Sequence, residues 1–190
     1  IPADRRPIYV SKAGINLAAK YQDQNLGKLV AEIERILTNR PNEKGLIHVT
    51  YSLMEKLKLN LHSPRLIFHT REDKMLKYQE FLNTSEPKVL VAAGLYEGID
   101  LPEDLGRWQV ITKIPYPSLE SPAIAYLAEN NSEYYANETI RVLAQGYGRI
   151  CRTPTDLGAT YIIDSSFERL YKEYGDLFPS WFREGIVSDV

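Results

Sequence analysis

The sequence predicts an α/β fold with a mostly parallel central sheet flanked by helices. Two observations carry that prediction. Short apolar strand segments alternate with segments of helical period along most of the chain, which implies right-handed βαβ crossovers. The strand over residues 88–93 shows no polar alternation, as expected of a parallel strand covered on both faces. In such sheets ligands bind beyond the carboxyl ends of the strands. The loops of interest therefore follow Thr50, His69, Ala93, Ile114 and Ile163.

Each element has its own reason. Ile8, Tyr9 and Val10 form a short strand. Leu26, Leu29, Val30, Ile33, Ile36 and Leu37 recur at helical spacing, and Pro41 stops that helix. Residues 46–50 read as a buried strand. Ser52 and Glu55 then make a capping-box pair that opens a helix through about Asn60. Residues 65–69 are another strand. Thr70 caps a charged helix over 71–83, whose apolar face is Met75, Tyr78 (or Leu76), Phe81 and Leu82. Strands follow over 88–93 and 108–114, helices over 122–129 and 133–151, and a last strand over 159–163. Residues 165–190 form a helical tail, so the whole of 1–190 reads as a single domain.

Composition narrows the function classes. The chain has 190 residues, 44% hydrophobic and 25% charged, with a net charge of -2, values of a globular protein whose nucleic-acid contacts must be local. One cysteine excludes an intrachain disulfide and a cysteine-built metal or iron–sulfur site within this chain. His48, His62 and His69 lack zinc-ligand spacing and read as ordinary residues. No apolar run suits a membrane span, and no signal peptide is read. The start on Ile1-Pro2 leads us to expect a piece of a longer protein.

Two constellations carry chemistry. In the helix predicted through 151, Gln145, Arg149 and Arg152 are spaced by four and three and share one face. No carboxylate lies within that turn, so two permanent cations on a fixed scaffold offer a phosphate clamp. The plainer alternative is a surface helix with two solvated arginines. Ile140, Leu143, Ala144, Tyr147 and Cys151 form the opposite, inward stripe. Cys151 reads as a small core residue, with a lowered thiol pKa between the two arginines as the alternative. The second constellation is the loop after the 88–93 strand. Gly94 and Gly98 let backbone approach a ligand, and Glu97 and Asp100 place carboxylates where a ribose hydroxyl, a water or a phosphate-bound magnesium could sit. Tyr96 presents a ring that stacks on a base or plugs the core. Lys113 is a candidate backbone-phosphate contact ahead of the turn Pro115-Tyr116-Pro117.

These segments resemble known motifs, in order. Val89-Leu90-Val91-Ala92-Ala93 followed by residues 96–102 resembles motif V of superfamily 2 DNA helicases of the XPD/DinG type. Ile114-Pro115-Tyr116-Pro117 resembles the proline-aromatic segment after it. Gln145, Gly148, Arg149 and Arg152, then Asp156, Gly158 and Ile163-Asp164, resemble motif VI and the next strand. Residues 45–53 resemble motif IV more weakly, and the entry over 1–10 is also similar.

The resemblance implies a three-layer RecA-like domain, the second, C-terminal motor domain of an ATP-dependent helicase acting 5′ to 3′. It implies that Arg149 and Arg152 are arginine fingers and that Gln145 orients the γ-phosphate or attacking water. Glu97, Gly98 and Asp100 would lie by the nucleotide, and Tyr51, Ser52, Tyr96 and Lys113 along single-stranded DNA. ATP and Mg2+ would be held mainly by a preceding RecA-like domain, because this chain has no G-x-x-x-x-G-K-[ST] run. The fragment alone is then expected not to hydrolyse ATP. Expected partners are that domain and single-stranded DNA, with no membrane, in the cytoplasm at the nucleoid or in the nucleus. One departure is Ala92-Ala93, where relatives often carry a hydroxyl. A non-catalytic RecA-like binding module and another motor branch are the alternatives.

Overall fold

The computed structural model describes residues 1–96 and 98–187. Six parallel strands form one sheet: β1 (Ile8–Ile15), β2 (Gly45–Val49), β3 (Leu66–Ile67), β4 (Val89–Ala93), β5 (Trp108–Ile111) and β6 (Ala159–Asp164). Their order is β1-β6-β5-β2-β4-β3. The helices are α1 (Gln22–Asn39), α2 (Tyr51–Asn60), α3 (Lys74–Asn83), α4 (Pro122–Asn130), α5 (Ser132–Tyr147), α6 (Ser166–Tyr174) and α7 (Ser180–Gly185).

The layers follow from side-chain alternation along the strands. Ile47, Val89, Val91 and Val110 face a core built with Leu29, Ile33 and Ile36 of α1 and Leu53 and Leu57 of α2. Leu46 and Leu90 point the other way, onto Tyr78 and Phe81 of α3 and onto Leu95, Ile99 and Ile150. Beside them, Ile8, Ile111 and Ile162 pack under Ile140 and Leu143 of α5 and Phe167 of α6. Burial on both faces explains why β2, β4 and β5 carry no alternation. Gly45 pairs with Trp108 across β2 and β5, and a Cβ at Gly45 would overlap the indole. Glycine is what lets the largest core side chain cross the centre of the sheet. The tail returns over this layer through Phe178 and Phe182, and Val187 N donates to Ile8 O at 3.0 Å beside β1.

Several boundaries differ from the sequence-based expectation, each for a local reason. Thr50, not Ser52, caps α2, accepting from Leu53 N at 3.3 Å. Thr70 caps a separate turn, taking the N–H groups of Glu72 and Asp73, so α3 starts only at Lys74. Met75 and Leu76 face solvent, and Tyr78 and Phe81 alone of that helix are fully buried. β5 stops at Ile111, and Thr112 after it gives both its N–H and its hydroxyl to His48 O. The consequential difference is α5. It ends at Tyr147, and Arg149 N turns back to Gly146 O at 3.2 Å. Arg149 and Arg152 therefore stand on a turn beyond the helix, not on its face.

Candidate functional site

Chain segments from four strands meet at the carboxyl edge of the sheet. They are Tyr51 and Ser52 after β2, the 94–102 loop after β4, residues 112–114 after β5 and Asp164 at the end of β6. Gly94 and Gly98 hold φ of 66° and 81°, a left-handed backbone that glycine adopts without strain. The 149–156 turn reaches this edge from the end of α5.

The two arginines converge there on one carboxylate. Arg152 Nε lies 2.9 Å and Nη2 3.2 Å from the two oxygens of Asp100, a bidentate fork. Arg149 Nη1 is 3.5 Å from the same Asp100. The expectation that no carboxylate neutralises the pair holds only along the helix; the fold supplies one from a loop 49 positions earlier in the sequence (149 minus 100). The arginines differ in setting. Arg149 is 15% exposed, and it donates from Nε to Tyr96 O at 2.8 Å and from Nη1 to Ile99 O at 3.1 Å. Its own carbonyl accepts from Leu101 N at 3.0 Å. It is stitched into the 96–101 loop. Arg152 is 44% exposed and, among the described residues, has no such backbone partner in that loop.

A buried carboxylate shapes the turn. Asp156 accepts from Arg152 N and Thr153 N at 2.7 Å each and from Glu103 N at 3.0 Å. Burial pushes its carboxyl up, but these backbone donors outweigh burial and hold it below the ordinary range. Glu103 is thereby kept at φ 55°, a conformation a non-glycine residue seldom takes. Gln145 is exposed on the last turn of α5. It shares an open groove of about 500 Å³ with Arg149, Arg152, Leu177 and Trp181.

The remaining edge residues are placed as follows. Tyr51 is half-buried, edge-on to His69 at 5.9 Å, with the Arg71 guanidinium 4.2 Å over its ring. Ser52 is exposed beside it. Lys113 is half-buried on the next loop, with no ion pair among the described residues. Tyr96 is a core plug in this structure. Its ring stacks on His48 at 4.5 Å, and a Cβ on Gly146 would come within 2.8 Å of it. Burial and the charge of Asp164 push its phenol pKa well up. Of the two uses expected for this ring, the geometry favours packing over stacking on a base. Glu97 lies outside the described residues.

A family model described as "Helicase C-terminal domain" matches residues 33–185. The chain belongs to that family. The ATP-dependent DNA helicase chl1 of Neosartorya fischeri is 26% identical over 171 residues, covering 76% of this chain and 19% of that protein. The general transcription and DNA repair factor IIH helicase subunit XPD of Dictyostelium discoideum is 26% identical over 184 residues, covering 83% of this chain and 23% of that protein. The chain thus spans about a fifth of the length of the curated relatives it matches. Among solved structures, apo XPD superposes with a TM-score of 0.69 at 20% identity, over 94% of this chain and 38% of that one. The XPD/DinG resemblance read from the motifs holds, and the sheet is the expected RecA-like one.

In this helicase C-terminal domain several organising residues have no role assigned by the sequence: His48 reads as ordinary, and Asp156 and Asp164 match motifs without a stated role. Asp164 accepts from Ile114 N at 3.1 Å and Ser166 N at 3.1 Å, which fixes the proline-aromatic turn against the start of α6. Cys151 is partly buried, its sulfur 4.0 Å from Gly158 O. Burial, with the charge of Asp156 adding, pushes its thiol up to about 11, so the alternative of a lowered thiol pKa is overturned. Among the described residues no cluster of histidine, cysteine and carboxylate could hold a metal ion, and no helix is long and apolar enough to cross a membrane.

Proposed function

We propose that this domain is the second motor domain of an ATP-dependent DNA helicase and that Arg149 and Arg152 are its contacts to nucleotide phosphate. The observation that carries the reading is the convergence of both guanidiniums on Asp100 at the open edge of the sheet. Asp100 presents two anionic oxygens where phosphoryl oxygens would compete for the same donors. Arg152, the more exposed, exchanges partners with the smaller loss of internal contacts. It is the finger proper, worth ~10³–10⁵ in rate for developing phosphoryl charge. Arg149 keeps its bonds to Tyr96 O and Ile99 O and supplies its remaining donor from a fixed position. Gln145 borders the same groove and is placed to orient the γ-phosphate or the attacking water. Gly98, Asp100 and Glu97 lie by the ribose and phosphates in this reading. A preceding RecA-like domain holds ATP and Mg2+, so the fragment alone does not turn ATP over.

Single-stranded DNA runs over the neighbouring edge, past Tyr51, Ser52 and Lys113, with 5′ to 3′ translocation. Tyr96 supports this track from below. The protein acts where its DNA is, at the nucleoid or in the nucleus. The test is Arg152→Ala in the full-length protein. ATP turnover should fall by ~10³ or more with the melting temperature nearly unchanged. Turnover at the wild-type level removes the phosphate role.

A further inference from the structure

His48 is a fully buried imidazole on β2, and nothing in the proposed chemistry uses it. Its ring lies parallel to Tyr96, the centroids 4.5 Å apart and the planes 14° apart. Its Nε2 is 3.1 Å from Gln109 Oε1. Gln109 gives its amide N–H groups to Tyr147 O at 3.1 Å and Thr160 Oγ1 at 2.9 Å. The Gln109 oxygen is therefore an acceptor, and His48 Nε2–H is the donor. Nδ1 is left as a buried acceptor with no partner among the described residues. An apolar side chain would avoid that cost, so the imidazole calls for a reason.

Its neighbours supply one. Tyr96 rests on the ring, and Tyr96 O accepts from Arg149 Nε at 2.8 Å. Tyr147, tied through Gln109, is the last residue of α5 and stands two positions before Arg149. One side chain thus props both pieces of backbone that hold this arginine. We propose that His48 is a positioning residue for Arg149: its ring sets the height of Tyr96, and its Nε2–H, through Gln109, fixes the end of α5. This deepens the functional reading above and rests on it. A neutral ring suits the place, because burial and then the nearby charge of Arg149 hold its pKa down at about 4, against the opposing bond to Gln109. A misplaced finger loses its contact in the transition state, so the effect falls on saturated turnover rather than on ATP affinity.

The test compares His48→Ala and His48→Phe. In the full-length protein, His48→Ala should lower kcat about tenfold or more with KM for ATP within about threefold, since small displacements of catalytic groups are costly. His48→Phe restores a flat ring under Tyr96 but not the Nε2–H bond to Gln109, so it should recover kcat only part-way between the alanine variant and wild type. In the ¹⁵N-arginine-labelled full-length protein, the Arg149 Nε–H signal should lose its protection from solvent exchange in His48→Ala and regain part of it in His48→Phe. Wild-type turnover and protection in His48→Ala, a phenylalanine variant no better than alanine or equal to wild type, or a loss confined to KM overturns the proposal. A wild-type protein that does not hydrolyse ATP sinks the functional reading alone, and the Nε–H exchange then decides the positioning by itself.

Discussion

Truncating the two arginines one at a time separates holding the loop from touching the nucleotide. The Arg149 side chain is 15% exposed and donates to Tyr96 O at 2.8 Å and Ile99 O at 3.1 Å, besides standing 3.5 Å from Asp100. A hydrogen bond from a charged donor contributes about 1.5–3 kcal/mol. Both carbonyls lie near the edge, where water replaces part of what is lost, so Arg149→Ala should cost about 2–3 kcal/mol. Arg152 and Asp100 are 44% and 56% exposed, and an ion pair in that setting contributes about 0–1 kcal/mol. In a chain of this size 1 kcal/mol moves the melting temperature by about 2–4 °C. Thermal unfolding followed by circular dichroism should therefore show a drop of about 4–12 °C for Arg149→Ala and at most about 4 °C for Arg152→Ala. A solvent-facing arginine holds little of the fold, and of the two only Arg152 fits that description. Equal shifts, or a larger one for Arg152→Ala, would refute the division of labour.

Three further outcomes follow from the same edge. Asp156 is held below its ordinary 3.8 in the fold, so its contribution is complete above that pH and is lost as the pH falls through the lower folded value. Asp156→Asn should lower the melting temperature at about pH 6, with the gap to wild type narrowing below about pH 3.8; a constant gap across the acid limb contradicts this. Raising the Cys151 thiol from 9.0 to about 11 cuts its thiolate fraction, so alkylation by iodoacetamide at about pH 8 should run about a hundredfold slower than for free cysteine. Labelling at the free rate would show an open thiol. Tyr51→Ala in the full-length protein should weaken single-stranded DNA binding about 5–150-fold, the loss of one stacked base, read by anisotropy of a labelled oligonucleotide. Unchanged affinity takes Tyr51 off the track.

The fold was legible because its signals are local and redundant. A run such as Val89–Ala93 suits a strand buried on both faces, and the repeat from Leu26 to Leu37 suits an amphipathic helix, and both form as such. What stayed hidden were places where a tertiary partner decides a boundary. Thr112 has ordinary strand neighbours, yet β5 ends before it, and the carbonyl of His48, 64 residues earlier, takes both its N–H and its hydroxyl. Met75 and Leu76 fit an inward stripe as well as their neighbours do. Only the turn built by Thr70 and Asp73 rotates the start of α3 and puts them in water.

The same physics explains how the two arginines meet although they do not share a helix. Spacing by four and three placed Gln145, Arg149 and Arg152 on one helical face, yet the helix ends at Tyr147. The turn past it is dictated by a carboxylate at Asp156, whose two oxygens collect backbone donors from residues 152, 153 and 103. That network joins the 149–156 turn to the loop after β4, and so carries Arg149 and Arg152 onto Asp100. A helix would have presented two cations side by side with nothing between them. A turn closed on a carboxylate presents them already gathered, their mutual repulsion screened by the group that a phosphate would displace. Preorganisation of this kind leaves less to rearrange when negative charge arrives, which is why the departure from the helix strengthens the phosphate reading.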